Sequence, residues 1–236
     1  MQKAKIHILS TRPLDNSLLE EASKKGIAIE VLSFIETIPI DTIEVQQEIE
    51  QAMLQSSTVV FTSMNAIEAI AAQLEDQQPE WQIYTMGATS QQLVKEYFGE
   101  DKLAGTASSA AELAELIAEE SGTDEVIFFC GDQRRDELPD SLRSNNIEVH
   151  EIEVYHTIEV PHKIRKHYDG VLFFSPSAVR SFFSVNKADA QTTLFAIGET
   201  TAKEIRKFTK NKIIVSEEPG KENLVREMID FFSTPE

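Results

Sequence analysis

Thr58-Val-Val-Phe-Thr-Ser-Met-Asn-Ala-Ile67 and Asp169-Gly-Val-Leu-Phe-Phe-Ser-Pro-Ser-Ala-Val179 are two related stretches of this 236-residue chain. In each, a short apolar run ends in a serine, Ser63 or Ser175, and a helical pattern follows. Continuous runs of Val, Leu and Phe are typical of parallel strands that helices cover on both faces. Each stretch therefore predicts a strand, a turn and a helix, and their likeness indicates an internal repeat.

Similar apolar runs alternate with amphipathic helical patterns along the whole chain, and this alternation predicts an α/β fold built from βαβ units. The runs expected to form strands are Ile6–Leu9, Ile27–Phe34, Thr58–Thr62, Gln82–Met86, Glu125–Cys130, Ile147–Tyr155, Gly170–Phe174, Leu194–Ile197 and Lys212–Val215.

The order of the repeated segments predicts two similar domains, one of them inserted into the other. The glycine motif at Gly87 matches the one at Gly198, and the strand before Arg12 matches, more weakly, the strand before Arg135. Because these copies occur in a different order in the two halves, both chain ends must contribute to one domain. We expect residues 1–36 and 157–236 to form the first domain and 38–154 the second. The crossings, near 34–39 and 153–158, are rich in β-branched residues and are expected to pair as a two-stranded β-ladder hinge.

Charge is distributed as this division predicts. The chain has 22 basic and 40 acidic residues, a net charge of −18. Residues 40–152 contain 5 basic and 23 acidic residues, whereas both flanking segments are balanced. So acidic a chain is a poor partner for nucleic acid or for anionic membranes. The early polar residues predict no signal peptide, and a single cysteine suits a reducing cytoplasm.

Serine, threonine and glycine follow most of the predicted strands, at the edge where doubly wound α/β folds bind ligands. Hydroxyls and the free N–H groups of helix N-termini form good sites for carboxylates or phosphates. The same residues are also ordinary helix caps, and this alternative stays open. The loop residues concerned are Ser63, Gly87, Ser90, Ser175, Ser177, Gly198 and Thr201.

Three arginines and one tyrosine are further candidates. Arg12, Arg134 and Arg135 lie in two of these loops, where a guanidinium would bind a carboxylate, although surface ion pairs are the alternative, favoured for Arg134. Tyr155 lies in the second crossing strand. Its phenol is a candidate proton donor, and simple packing of the ring is the alternative.

The sequence gives little support for a metal site, a reactive cysteine or a nucleotide-binding site. Four of the five histidines fall between residues 150 and 167, but their spacing does not suit convergence on a metal. Cys130 ends an apolar run and is expected to be a core residue. The chain has no glycine-rich dinucleotide motif, no P-loop and no GxSxG.

Taken together, these segments resemble the uroporphyrinogen-III synthase family over nearly the whole chain. The resemblance rests on the order and spacing of several motifs, namely Thr11-Arg-Pro13, Val60-Phe-Thr-Ser63 with Asn65, Gly131 through Leu138, Val154-Tyr155, Asp169 through Ser177, and Ile197 through Ala202. It implies two similar α/β domains, each a parallel sheet flanked by helices, joined by a two-stranded ladder.

The resemblance also implies a function. A cofactor-free enzyme of haem biosynthesis would cyclise hydroxymethylbilane to uroporphyrinogen III, with loss of water and inversion of the last pyrrole ring. Tyr155 matches the family's candidate acid for expelling the hydroxyl. Contacts with this polycarboxylate are expected at Arg12, Ser63, Gly87, Ser90, Arg135, Ser175, Ser177, Gly198 and Thr201. We expect a cytoplasmic monomer without metal. The alternative is a non-catalytic tetrapyrrole- or anion-binding regulatory module on the same scaffold.

Overall fold

The computed structural model describes residues 6–74, 77–120, 122–218 and 220–233. Contacts between Cα atoms divide the chain into two compact units. Residues 1–36 and 158–236 form one of them, called here the terminal unit, and residues 37–157 form the inserted unit.

The described residues form strands and helices that alternate along most of the chain. The strands are β1 (Ile6–Ser10), β2 (Ile27–Val31), β3 (Ile35–Pro39), β4 (Ser57–Phe61), β5 (Trp81–Met86), β6 (Leu103–Ala107), β7 (Glu125–Gly131), β8 (Glu148–Glu159), β9 (Gly170–Phe173), β10 (Thr193–Ala196) and β11 (Ile213–Val215). The α-helices are α1 (Asn16–Lys24), α2 (Ile43–Met53), α3 (Met64–Leu74), α4 (Ala88–Phe98), α5 (Ala110–Glu120), α6 (Glu137–Ser144), α7 (Pro176–Val185), α8 (Glu199–Arg206) and α9 (Lys221–Ser233). No helix within these described ranges is both long enough and apolar enough to cross a membrane.

The terminal unit is a parallel sheet in the order β11-β10-β9-β1-β2, with helices on both faces. Successive side chains of a strand point to opposite faces, so each strand contributes to two cores. Leu9 and Phe173 belong to the core that α7 and α8 cover, whereas Ile8, Leu172 and Phe195 belong to the core beneath α1 and α9.

The inserted unit contains a six-stranded sheet in the order β3-β8-β7-β4-β5-β6. Its strands alternate in the same way. Phe61 and Phe129 stack at 5.5 Å between ring centroids in the core beneath α2, α3 and α4. Phe128 and Tyr84 belong to the core beneath α5 and α6. Apolar residues on both faces explain why these strands read as continuous apolar runs.

Both sheets share one topology, as the internal repeat predicts. The order β11-β10-β9-β1-β2 in the terminal unit corresponds, strand for strand, to β6-β5-β4-β7-β8 in the inserted unit. The predicted α/β class, with parallel sheets flanked by helices, is therefore confirmed. Strand β3 lies beside β8 in the sheet, and the use of this pair as a hinge stays a prediction.

Strand β6 was not among the expected apolar runs. Its sequence, Leu-Ala-Gly-Thr-Ala, has little apolar bulk, and none of its residues is fully buried. Small residues are needed there because the sheet edge lies close to its neighbours. A Cβ atom on Gly105 would come within 2.7 Å of Leu116 Cδ2 and 2.9 Å of the Tyr84 ring. Close packing therefore accounts for the glycine in this strand.

Candidate functional site

Each sheet has a point where the direction of chain progression reverses. In the terminal unit, β1 and β9 are neighbours in the sheet. From β1 the chain continues to β2 on one side, and from β9 it continues to β10 and β11 on the other side. In the inserted unit, the same reversal falls between β4 and β7. Doubly wound folds bind ligands in the crevice beyond the carboxyl ends of such strand pairs. We therefore expect ligand-binding residues at the two reversal points.

Tyr155 lies at the reversal point of the inserted unit. Its side chain is half-buried against the core that contains Phe61 and Phe129, so the ring packs as the alternative predicts. The hydroxyl is also engaged, because Tyr155 Oη lies 2.9 Å from Ser63 Oγ. Ser63 Oγ in turn accepts a hydrogen bond of 3.2 Å from the backbone N–H of Asn65, at the start of α3. Two residues selected separately from the sequence thus meet in one hydrogen-bonded group.

Asp132, which was not among the residues predicted from the sequence to form the site, fixes the backbone around Tyr155. Its N–H donates to the carbonyl of Tyr155 at 3.2 Å. Its carboxylate accepts from the N–H of Thr157 at 2.9 Å. One feature of the sequence indicates this role for Asp132. The residue directly follows Gly131, where a buried strand ends, and short acidic side chains commonly bond nearby backbone N–H groups in turns.

The two arginines that follow Asp132 differ in their surroundings. Arg134 forms ion pairs with Asp136 and with the largely buried carboxylate of Glu151, so the surface-pairing alternative is correct for Arg134. Arg143 pairs with the same Glu151 at 2.7 Å. Arg135 is exposed and forms no ion pair with any residue in the described ranges. Of these arginines, Arg135 is therefore the one whose guanidinium remains available to an anion.

The loop after β5 has fewer groups available to bind an anion than we expected from the sequence. Gly87 caps α4 in the left-handed region, at φ +84°, where a side chain would be strained. Its N–H donates to the carbonyl of Ala107 at 3.0 Å, so this amide is not free for an anion. Ser90 is buried in the first turn of α4. A ligand contact from either residue stays a prediction.

Hydroxyl groups surround the reversal point of the terminal unit, and capping accounts for part of them. Ser175 Oγ accepts from the N–H of Ala178 at 3.2 Å and so caps α7. It also lies 3.0 Å from Ser177 Oγ, and Ser177 itself is buried. Gly198 directly precedes α8 as its N-cap, in an extended conformation, and Thr201 is buried in the first turn of that helix. Ser175 and Gly198 are therefore the more exposed members of this group.

Arg12 follows β1 at the same edge. Ser10 Oγ donates to the Arg12 carbonyl at 2.6 Å, which shapes the loop. The nearby Asp15 pairs with Lys221 at 2.8 Å. The hydrogen bond and the charge of Lys221 lower the pKa of the Asp15 carboxyl. The half-buried guanidinium of Arg12 has no ion pair among the residues whose placement is described.

Two other candidate groups have no part in this arrangement. Cys130 is buried, and burial raises the pKa of its thiol to about 12, so it is a poor nucleophile at neutral pH. His167 lies 2.7 Å from Asp189. Across the described ranges, no group of three or more His, Cys, Asp or Glu side chains is arranged to hold a metal ion.

Fold and site together define a class: an α/β protein with two doubly wound units of the same topology, each with hydroxyl groups at its reversal point. A family model described as uroporphyrinogen-III synthase HemD matches residues 16–226. The chain belongs to the uroporphyrinogen-III synthase family, which acts in tetrapyrrole biosynthesis.

Two solved structures share the fold. The uroporphyrinogen-III synthetase of Helicobacter pylori has a TM-score of 0.68 at 14% identity, with 96% of this chain and 99% of that chain covered. A mutant uroporphyrinogen III synthase of the extremely thermophilic bacterium Thermus thermophilus has a TM-score of 0.60 at 13% identity, with 96% and 98% covered. The family is that of an enzyme with a small tetrapyrrole substrate.

Proposed function

We propose that this chain is a hydro-lyase that closes hydroxymethylbilane to uroporphyrinogen III, with loss of water and inversion of the last pyrrole ring. The proposed type of reaction is supported by the membership of the chain in the uroporphyrinogen-III synthase family. The observation that carries the mechanism is the position of Tyr155, whose hydroxyl lies at the carboxyl edge of the inserted sheet with Ser63 as its partner.

In this proposal Tyr155 is the general acid. Its proton passes to the hydroxyl oxygen of the bilane, the carbon–oxygen bond breaks, and water leaves. The electron pair of the adjacent pyrrole nitrogen stabilises the carbon that is left electron-poor. The last pyrrole ring then attacks that carbon to give a spiro intermediate. This intermediate reopens by breaking the bond between the last ring and its neighbouring methylene carbon, and that methylene carbon then bonds to the unsubstituted α-carbon of the same ring, which completes the inversion. The proton lost from this α-carbon returns to the Tyr155 phenolate. Proton transfer and carbon–carbon bond formation need acid catalysis and positioning, so the proposal includes no cofactor.

Substrate carboxylates would be bound at the two reversal points. Arg12 and Arg135, both without ion pairs in the described ranges, are proposed to bind carboxylates directly. Neutral donors would supplement them, since helix N-termini bind anions through backbone N–H groups. The proposed neutral contacts are those predicted from the sequence at Ser90, Ser175, Ser177, Gly198 and Thr201, together with the N-terminus of α4 that follows Gly87, whose own N–H is bonded to Ala107.

The test is an isomer analysis. Freshly prepared hydroxymethylbilane is incubated with the purified protein, the products are oxidised, and isomers I and III are separated by chromatography. We expect isomer III to predominate with native protein and isomer I to form with heat-denatured protein. Isomer I alone in both samples would overturn the proposal. Binding of the bilane without turnover would favour the regulatory module instead.

A further inference from the structure

Gly131 is the residue directly opposite Tyr155 in the sheet. The pairing of β7 with β8 matches Cys130 to Glu153 and then Gly131 to Tyr155, so Val154 has no opposite residue. This is a β-bulge, and bulges commonly redirect a side chain next to a functional site. Its effect is visible in the packing. Val154 and Tyr155 both contact the same core, which strict alternation along a strand would not allow.

The ring of Tyr155 occupies the space that a side chain at position 131 would need. A Cβ atom on Gly131 would lie 2.3 Å from Tyr155 Cζ, 2.5 Å from Cε2 and 2.7 Å from Oη. All three distances are far below van der Waals contact. They involve the reactive end of the ring, which cannot rotate aside while it remains packed in the core.

The backbone does not explain why this residue is a glycine. Gly131 is absent from the glycines with positive φ, so its conformation is open to any residue. The missing side chain is therefore what matters. With a methyl group at position 131, the phenol would have to shift, and its 2.9 Å contact with Ser63 Oγ would change.

The Ser63 hydroxyl is oriented by its own partners. The N–H of Asn65 can only donate, so Ser63 Oγ is an acceptor in that bond. An oxygen that accepts one hydrogen bond becomes a better donor in the next. The 2.9 Å distance between Ser63 Oγ and Tyr155 Oη allows either hydroxyl to donate, and the bond from Asn65 favours Ser63 as the donor. That arrangement leaves the proton of Tyr155 free to point toward a substrate.

We propose that Gly131 and Ser63 are positioning residues for Tyr155. Gly131 provides the space for the phenol, and Ser63 donates to the phenol oxygen so that the tyrosine proton faces the leaving hydroxyl. As that proton leaves, the same bond stabilises the negative charge on Oη, with the N-terminus of α3 behind it. This rests on the proposed function, and it gives Ser63 a role toward Tyr155 in place of the predicted carboxylate contact.

The kinetic test compares Gly131→Ala and Ser63→Ala with Ser17→Ala, a change to an exposed serine on α1. We expect each of the first two to lower kcat for isomer III about tenfold or more, with KM within about twofold, because one orienting contact is lost. Ser17→Ala should leave both constants unchanged. In a Tyr155→Phe background, neither substitution should lower kcat further. An unchanged kcat in the native background, or a further loss in the Phe background, would overturn the proposal.

A second measurement needs no activity. The protein is labelled with ¹³C at tyrosine Cζ, and the Tyr155 signal is assigned among the four tyrosines by its disappearance in Tyr155→Phe. Ser63→Ala and Gly131→Ala should shift this signal, and Ser17→Ala should not. A Tyr155 signal that stays in place in Ser63→Ala refutes the positioning role even if Gly131→Ala fails to fold. If the native protein makes only isomer I, the proposed function fails while this test of the contacts still stands.

Discussion

Replacing Tyr155 with phenylalanine removes one oxygen atom and leaves the ring. The ring packs against the core of the inserted unit, and this packing survives in the variant. The lost contact is the 2.9 Å hydrogen bond with Ser63. Because Ser63 Oγ keeps the N–H of Asn65 as a partner, no buried polar group is stranded. The expected loss in the free energy of unfolding is therefore about 0.5–1.5 kcal/mol, the usual contribution of one hydrogen bond.

The expected loss of activity is much larger. A positioned general acid contributes about 10²- to 10⁴-fold to a rate. At about 1.36 kcal/mol for each factor of ten, this is roughly 3–5 kcal/mol in activation free energy. The variant should therefore bind bilane and product almost as well as native protein, while its kcat for isomer III falls by this factor. As enzymatic closure slows, spontaneous isomer I should take a growing share of the product.

The assay measures the initial rate and the isomer ratio across bilane concentrations, beside urea unfolding followed by circular dichroism. Tyr97→Phe is the matched control, since this tyrosine lies on α4 with 42% of its surface exposed. It should leave rate, isomer ratio and stability unchanged. If Tyr155→Phe kept the native rate and lost only stability, the hydroxyl would be a packing group and the proposed acid would be wrong.

Three further predictions concern other residues of the inserted unit. Arg135→Gln should raise KM about tenfold by removing a carboxylate contact, whereas Arg134→Gln should mainly lower stability because its guanidinium already pairs with two carboxylates. Steady-state kinetics and urea unfolding separate the two effects. Cys130, with a thiol pKa of about 12, should react with a disulfide reagent at pH 8 only after denaturation, and rapid labelling of folded protein would contradict its burial. Trp81→Phe should destabilise the inserted unit by about 2–3 kcal/mol, because it removes ring volume and the 2.8 Å hydrogen bond to Ala52. Urea unfolding followed by circular dichroism checks this, and a loss below about 0.5 kcal/mol would count against it.

The strands at the centre of each sheet could be predicted from the sequence because burial on both faces makes them uniformly apolar. The runs before Ser63 and Ser175 became β4 and β9, next to the reversal points. Edge strands carry a weaker signal. Leu103–Ala107 forms β6 although it contains no Val, Ile, Phe or Tyr, and Gly105 leaves the space that Leu116 and Tyr84 occupy. Such packing depends on neighbours that are distant in the sequence, and local propensity does not record it.

In the site, too, single residues could be recognised from the local sequence, but contacts between residues far apart in the chain could not. Ser63 and Tyr155 were recognisable as candidates, but 92 residues separate them, and no periodicity predicts that their hydroxyls meet. The bulge that leaves Val154 unpaired shifts the register by one residue, and this shift is what aligns Tyr155 with Gly131. Ser175 shows the reverse case, since its capping role followed from its position before a helix.

The net charge of −18 by itself disfavours a polyanionic substrate, and the local chemistry explains how the two are compatible. Two carboxylates on this side of the inserted unit are already engaged: Glu151 by Arg134 and Arg143, and Asp132 by the backbone N–H of Thr157. Peptide N–H groups and hydroxyls bind anions without carrying charge themselves. Charges farther away than about 8 Å are largely screened at physiological ionic strength. Under the proposed function, neutral donors together with Arg135 would therefore favour carboxylates on a strongly acidic domain, because the donors that remain unpaired decide the ligand class and the sum of charges does not.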